Sequence, residues 1–202
     1  MHAFMCLALA LPAAEYHTDV PCTGNSTKLP ADQCAAWQDL YDSTGGDNWT
    51  NEGRQCTRND PCDIHCYQTA ATVCNKAGTT VLLIDLGSSN LVGTIPASVG
   101  AWVDLIGFDV HDNQLTGPVP ASATNWKNLQ RGFVQFSVLG NKLTGLLPDL
   151  DFDKMTFGCV LLHDQPTNNF SCPWPKGVTT NCHKDPGGYV TDADCHGTHL
   201  AS

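Results

Sequence analysis

The stretch NQLTGPVP, Asn113 to Pro120, returns as NKLTGLLP, Asn141 to Pro148, and this recurrence constrains the fold more than any other feature of the chain. Aligned on glycine and proline, IDLGSSNLVGTIP (Ile84 to Pro96) lies over FDVHDNQLTGPVP (Phe108 to Pro120) with a period of 24. The next unit, FSVLGNKLTGLLP (Phe136 to Pro148), follows at an offset of 28. A degenerate fourth unit, NNFSCPWP, puts Asn168, Phe170, Cys172 and Pro175 at the asparagine, leucine, glycine and proline positions. A unit this short cannot bury its own apolar face, so at least three must stack and both ends of the stack need caps.

Each repeated position has a physical reason. Alternating apolar residues, Phe108 with Val110 and Phe136 with Val138, predict short strands with one face buried. Asn113, Asn141 and Asn168 are predicted turn residues, because an amide side chain both donates to and accepts from neighbouring backbone. Leu115 and Leu143 return to the core, Gly93, Gly117 and Gly145 permit backbone angles closed to other residues, and Pro96, Pro120 and Pro148 predict an extended, non-helical return. Ser89 stands at the asparagine position of the first unit, which predicts a less well satisfied turn there.

This pattern resembles the leucine-rich repeat, and its L-x-G-x-I-P portion is similar to the plant-type subclass of extracellular proteins. The segment CAAWQDLYDSTGGDNWTN (Cys34 to Asn51) predicts an amphipathic helix with Trp37, Leu40 and Tyr41 on one face, stopped by Gly45 and Gly46. It resembles the ALxxLYxxTxGxxWxN segment that precedes many secreted repeat proteins of plants and protists. DPC at Asp60 to Cys62, with Cys74, resembles their disulfide-closed N-terminal cap, and CVLLHDQPTNNFSCPWP with Cys182 resembles the C-terminal cap of trypanosomatid surface proteins. The resemblance covers roughly residues 31 to 182. It implies an α/β solenoid: a short leucine-rich-repeat coil of about four turns, with a parallel β-sheet on the concave face and disulfide-rich caps at both ends. Together with the residues outside it, the expected organisation is a signal peptide over 1–14, a Cys-rich cap with a helix over 15–80, repeats over 81–158, the last repeat and C-terminal cap over 159–182, and a flexible tail over 183–202.

Cysteine usage agrees with an oxidising compartment. The apolar run Ala3 to Leu11 with Pro12, Ala13 and Ala14 reads as a signal peptide and is too short to span a membrane. Its removal takes Cys6 and leaves an even set, Cys22, Cys34, Cys56, Cys62, Cys66, Cys74, Cys159, Cys172, Cys182 and Cys195, read as disulfides. The pairing stays open at this level, except that a solenoid separates its ends and so predicts no bridge between the first six and the last four. Zinc readings of CDIHC (Cys62 to Cys66) and CHGTH (Cys195 to His199) are set against oxidised cysteines and a disordered tail, and the latter are preferred. Sequons at Asn25, Asn48 and Asn169 predict glycosylation. The product is therefore expected to be secreted or held at the cell surface, with no membrane span and no cofactor.

Function follows from charge and from the exposed strand positions. The 202 residues carry a formal charge of -10, which repels phosphate backbones and argues against nucleic acid. The concave face predicted by the repeat presents Asp85, Asp109, His111, Asp112, Gln135, Ser137, Leu139 and His163. Stacking puts Asp85 beside Asp109, and carboxylates about 4.8 Å apart favour a cationic partner. The expected role is recognition of an extracellular protein or glycan ligand, basic where it meets this patch. The competing reading is a structural surface coat or antigen with no dedicated ligand. An enzyme is not expected, since these groups lie on an open face and no Gly-rich phosphate loop, zinc helix motif or nucleophile elbow occurs.

Overall fold

The structure, a computed structural model, describes residues 20–63, 65–66, 74–129, 136–155, 158–163, 168–185 and 187–196. The signal-peptide reading of residues 1–14, the concave candidate Gln135 and the His199 of the CHGTH idea lie outside them.

Two parallel sheets run the length of a leucine-rich-repeat solenoid. The concave sheet has the order β1 (Leu83–Asp85), β3 (Gly107–Asp109), β5 (Phe136–Ser137), β7 (Cys159–His163), β9 (Cys182–Asp185). A second sheet, which the repeat pattern did not announce, joins β2 (Val92–Thr94), β4 (Gln114–Gly117), β6 (Lys142–Gly145) and β8 (Asn169–Phe170). Each odd-numbered strand opens one coil. The inward positions Ile84, Phe108, Phe136 and Cys159 stack in register, and with Leu86, Val110, Val138 and Leu161 behind them they are fully buried.

Asparagines tie the coils together. Asn141 Oδ1 accepts from the Leu115 amide of the coil before, while its Nδ2 donates to the carbonyls of Val110, Val138 and Leu139. Asn113 accepts from Ser89 and Leu91 and donates to Leu86, Val110 and His111. Asn168 repeats the arrangement with Leu143, Val138 and Leu161. Each amide thus satisfies backbone groups that the turn would otherwise bury unpaired. Ser89 departs from the sequence expectation, because its turn is fully satisfied. Its hydroxyl accepts from the Gly53 amide and donates to the Gly87 carbonyl, so the shorter side chain admits backbone of the N-terminal cap into the ladder.

The predicted glycines behave as required, with φ of 135° at Gly93, 73° at Gly117 and 79° at Gly145. The return path does not stay non-helical. Pro96 and Pro120 are extended themselves, but 3-10 turns follow at once over Ala97–Ala101 and Ala121–Asn125, where a fixed proline φ starts a turn without wasting an amide donor. Trp102 and Trp126 follow these turns. Trp126 Nε1 donates to the Val99 carbonyl one coil back, and Trp102 Nε1 donates to the Gln33 carbonyl of helix α1 (Ala31–Ser43). Helix α1 is the expected cap helix, with Trp37, Leu40 and Tyr41 buried and Gly45 at φ 74° behind its end.

Five disulfides staple the ends: Cys22–Cys34, Cys56–Cys66 and Cys62–Cys74 in the N-terminal cap, Cys159–Cys182 and Cys172–Cys195 in the C-terminal one. None joins the two groups. Both cysteines that bound CDIHC are oxidised, which removes the thiolates a zinc ion would need there.

The C-terminal boundary differs from the sequence reading, which gave four coils and a flexible tail from residue 183. Residues 182–185 and 187–196 form a fifth coil. Strand β9 pairs with β7, Ser171 pairs in parallel with His196, and Thr191 and Asp194 close a capping box. The two C-terminal bridges each span 23 residues, close to the repeat period, and each joins equivalent places on coils four and five. Among the described residues no helix is long and apolar enough to cross a membrane.

Candidate functional site

Parallel register carries one outward row across the concave sheet: Asp85, Asp109, Ser137, Val160 and His183. A second outward row lies at the turn ends of the strands and includes Asp112, Gly140, His163 and Asp185.

Asp109 is buried, 7% exposed, and its Oδ1 lies 2.6 Å from His111 Nδ1 and accepts from the His111 amide at 3.0 Å. The hydrogen bond to Asp109 raises the His111 pKa above the usual histidine value; burial opposes the rise, and the charges of Asp109, Asp112 and Asp85 add to it. The sequence-level picture of two mutually repelling aspartates is therefore incomplete, because the chain supplies its own titratable counter-charge. The His111 ring occupies the space over Gly87, where a Cβ would collide with it.

Glycine clears a second path. Asp112 adopts φ 51°, which aspartate tolerates better than most residues, and its Oδ1 meets His163 Nε2 at 3.1 Å. These residues belong to coils two and four. They meet across coil three because Gly140 lies between them, and a Cβ there would run into the Asp112 carboxylate. His163 Nδ1 lies 3.8 Å from Asp185 of coil five, so one imidazole sits between two carboxylates.

Of the sequence candidates, Asp85, Asp109, His111, Asp112 and His163 come together on this face. Ser137 and Leu139 are on it too but are largely covered, at 3% and 9% exposed. A register shift between Val160 and Leu162 turns Leu162 into the core. Sequence reasoning missed His183, Asp185 and Tyr189, all on coil five. The signal was present in the spacing: Cys159 to Cys182 and Cys172 to Cys195 are both 23.

Lys184 alternates away from the face, pairing with Asp194 at 3.1 Å. Burial would raise the Asp194 pKa, but hydrogen bonds from the Thr191 hydroxyl and amide and from Lys184 hold it below the ordinary value. The described part of the concave face consequently carries carboxylates and imidazoles and no lysine or arginine head group. No group of three or more His, Cys, Asp or Glu side chains is arranged to hold a metal ion among the described residues.

No protein-family model and no curated protein sequence matches the chain. Similar solved structures include the leucine-rich-repeat ectodomain of the receptor kinase SOBIR1 from Arabidopsis thaliana, at 20% identity and TM-score 0.45, over 71% of each chain. The BIR2 ectodomain from Arabidopsis thaliana is similar at 20% identity and TM-score 0.42, over 74% of this chain and 85% of that one. PEPR1 in its complex with AtPEP1 is similar at 13% identity and TM-score 0.48, over 77% of this chain, which spans 25% of the receptor's length. The chain likewise spans 17% of the plant peptide hormone receptor RGFR1, at TM-score 0.39. The likeness to trypanosomatid surface proteins rests on sequence motifs alone.

Proposed function

We propose that the chain is an extracellular recognition module that captures a basic segment of a protein ligand on its concave sheet. The observation that carries this reading is the charge of that face: Asp85, Asp112 and Asp185 lie on coils one, two and five, and Lys184, beside Asp185 on the outer strand, is turned away to Asp194. Positive side chains of a partner are the electrostatic complement of these carboxylates. Five disulfides fit an oxidising compartment, and the exposed Asn25, Asn48 and Asn169 fit the proposed glycan sites, all off the concave sheet.

The role is binding and not catalysis. The imidazole–carboxylate pairs could exchange protons, but they lie along an open sheet that does not exclude water from a reacting group. A coat or antigen role is the second reading, and the stapling of both ends favours it, since bridged ends resist opening. The test is capture of partners from extracellular material by the oxidised protein, beside an Asp85→Asn/Asp112→Asn variant. A saturable partner lost with the variant supports recognition. Full capture by the variant sinks the acidic-face reading, and abundant surface protein with no saturable partner moves the role to the coat.

A further inference from the structure

The concave sheet does not stop at its fifth strand. After β9 the chain reverses through Gly187 and Gly188 and returns along the open edge, with Lys184 N–H donating to the Gly188 carbonyl and Val190 N–H to Cys182. His183 and Tyr189 become antiparallel partners, and their rings lie 4.6 Å apart at 35°. His183 is in register with Val160, so this return adds Tyr189 to the outward row that begins at Asp85. Residues two apart on a strand share a face, which puts Asp185 beside His183 on the concave side, while Lys184 goes the other way to Asp194.

The result is an aromatic ring that packs one side on an imidazole and remains 54% exposed. Val20, Val92, Val103 and Leu146 are the other exposed large apolar side chains among the described residues, and none of them lies in the strands of the concave sheet. Two residues along β9 from His183, the partner of Tyr189, is Asp185, whose side chain is 61% exposed even though His163 Nδ1 approaches it at 3.8 Å. A ring face and a carboxylate on one face, with Lys184 turned away to Asp194, are complementary to a flat cation. Guanidinium fits better than ammonium. It can lie parallel to the phenol ring and still give two parallel N–H donors to a carboxylate, whereas an ammonium is a compact, strongly hydrated point charge.

We propose that Tyr189, His183 and Asp185 form an arginine-accepting subsite at the C-terminal end of the concave face, the anchor for the basic segment of the ligand. The inference rests on the recognition role proposed above and names the side chain that coil five was built to receive. Asp85 on β1 and the β9 residues of this subsite lie at opposite ends of the sheet, about 19 Å apart at four strand spacings. An extended segment of about six residues spans that distance, so the ligand would carry basic residues at both ends and small or apolar ones over the covered Ser137 and Leu139.

Amide chemical-shift titration of the oxidised protein with a peptide of one arginine flanked by alanines, its lysine twin and a neutral oligosaccharide tests this. The arginine peptide is expected to saturate shifts at His183, Asp185 and Tyr189, and the lysine twin to bind about threefold more weakly or worse. Tyr189→Phe should keep the affinity, while Tyr189→Ala and Asp185→Asn should each lose about threefold to tenfold with an otherwise unchanged spectrum. Arginine-peptide shifts confined to coils one and two, unaffected by Tyr189→Ala, overturn the subsite and leave the concave-face role standing. No shift anywhere on the sheet overturns both. Saturation of Tyr189 by the oligosaccharide and not by arginine replaces the subsite with a sugar platform.

Discussion

The two ends of the solenoid are closed in different ways from the same residue type. At the N-terminus three disulfides with separations of 10 and 12 fold short loops on themselves, and a helix unlike any repeat lies against the first coil through Gln33 and Trp102. At the C-terminus two disulfides with separations of 23 tie one coil to the next, so the cap is a repeat that has exchanged its side-chain ladder for covalent bonds. Coil five has no asparagine at the ladder position, and Cys159 and Cys182 occupy the row where other coils place Ile84, Phe108 and Phe136. A cap made of foreign structure only shields the core. A cap made of a repeat also extends the concave face, which is why His183 and Tyr189 continue the row that begins at Asp85.

The ladder between the two ends sets the scale for breaking either. Asn141→Ala removes four hydrogen bonds and leaves a buried amide and carbonyls unpaired, and its expected cost is about 4 kcal/mol, measured by urea unfolding. Removing the covalent ladder at the C-terminal end, by Cys159→Ala with Cys182→Ala, should cost about 3 kcal/mol for a loop of this length. Hydrogen exchange should then show residues 182–196 opening while Leu115 and Leu143 amides stay protected; loss of protection throughout would mean that the fifth coil is not a separable cap.

The N-terminal end should yield least to the corresponding change. Ser89→Ala leaves the Gly53 amide without its acceptor and should cost about 1 to 2 kcal/mol. Ser89→Asn, which restores the repeat pattern, should also destabilise, because the cap backbone fills the space an asparagine would need. A gain in stability from Ser89→Asn would show that the cap does not dock into the ladder.

The smallest effect concerns His111. Its pKa is raised in the folded chain, so the Asp109–His111 contact stabilises fully below the ordinary histidine value near 6.5 and the benefit is lost as pH rises through the folded pKa. The difference in melting temperature between the protein and His111→Gln should therefore shrink from about pH 6 to about pH 9. A difference that grows over that range would contradict the pairing with Asp109.

Much of the fold was legible because the repeat is a local pattern with a physical reason at each position. The strand residues, the Asn113, Asn141 and Asn168 turns, the left-handed glycines and the α1 helix all follow from periodicity and side-chain chemistry. What was hidden depended on partners distant in sequence. Ser89 looked deficient until Gly53 supplied the missing bond, and the Asp112–His163 contact requires both three-dimensional stacking and an empty place at Gly140. The second sheet left little trace because VGT, QLTG and KLTG alternate too briefly to show a period. Coil five was hidden by its lack of the asparagine and leucine signature, although the two equal cysteine spacings marked it.

Carboxyl footprinting would locate the surface that a partner covers and so decide whether it is the concave sheet. The captured partner is bound, exposed carboxylates are labelled with a carbodiimide and an amine, and modified peptides are quantified with and without partner. Binding on the concave sheet should protect Asp112 and Asp185 while Asp104 and Asp149, exposed away from the concave strands, label equally in both samples. Protection of Asp104 or Asp149 with unchanged labelling at Asp112 and Asp185 would contradict it.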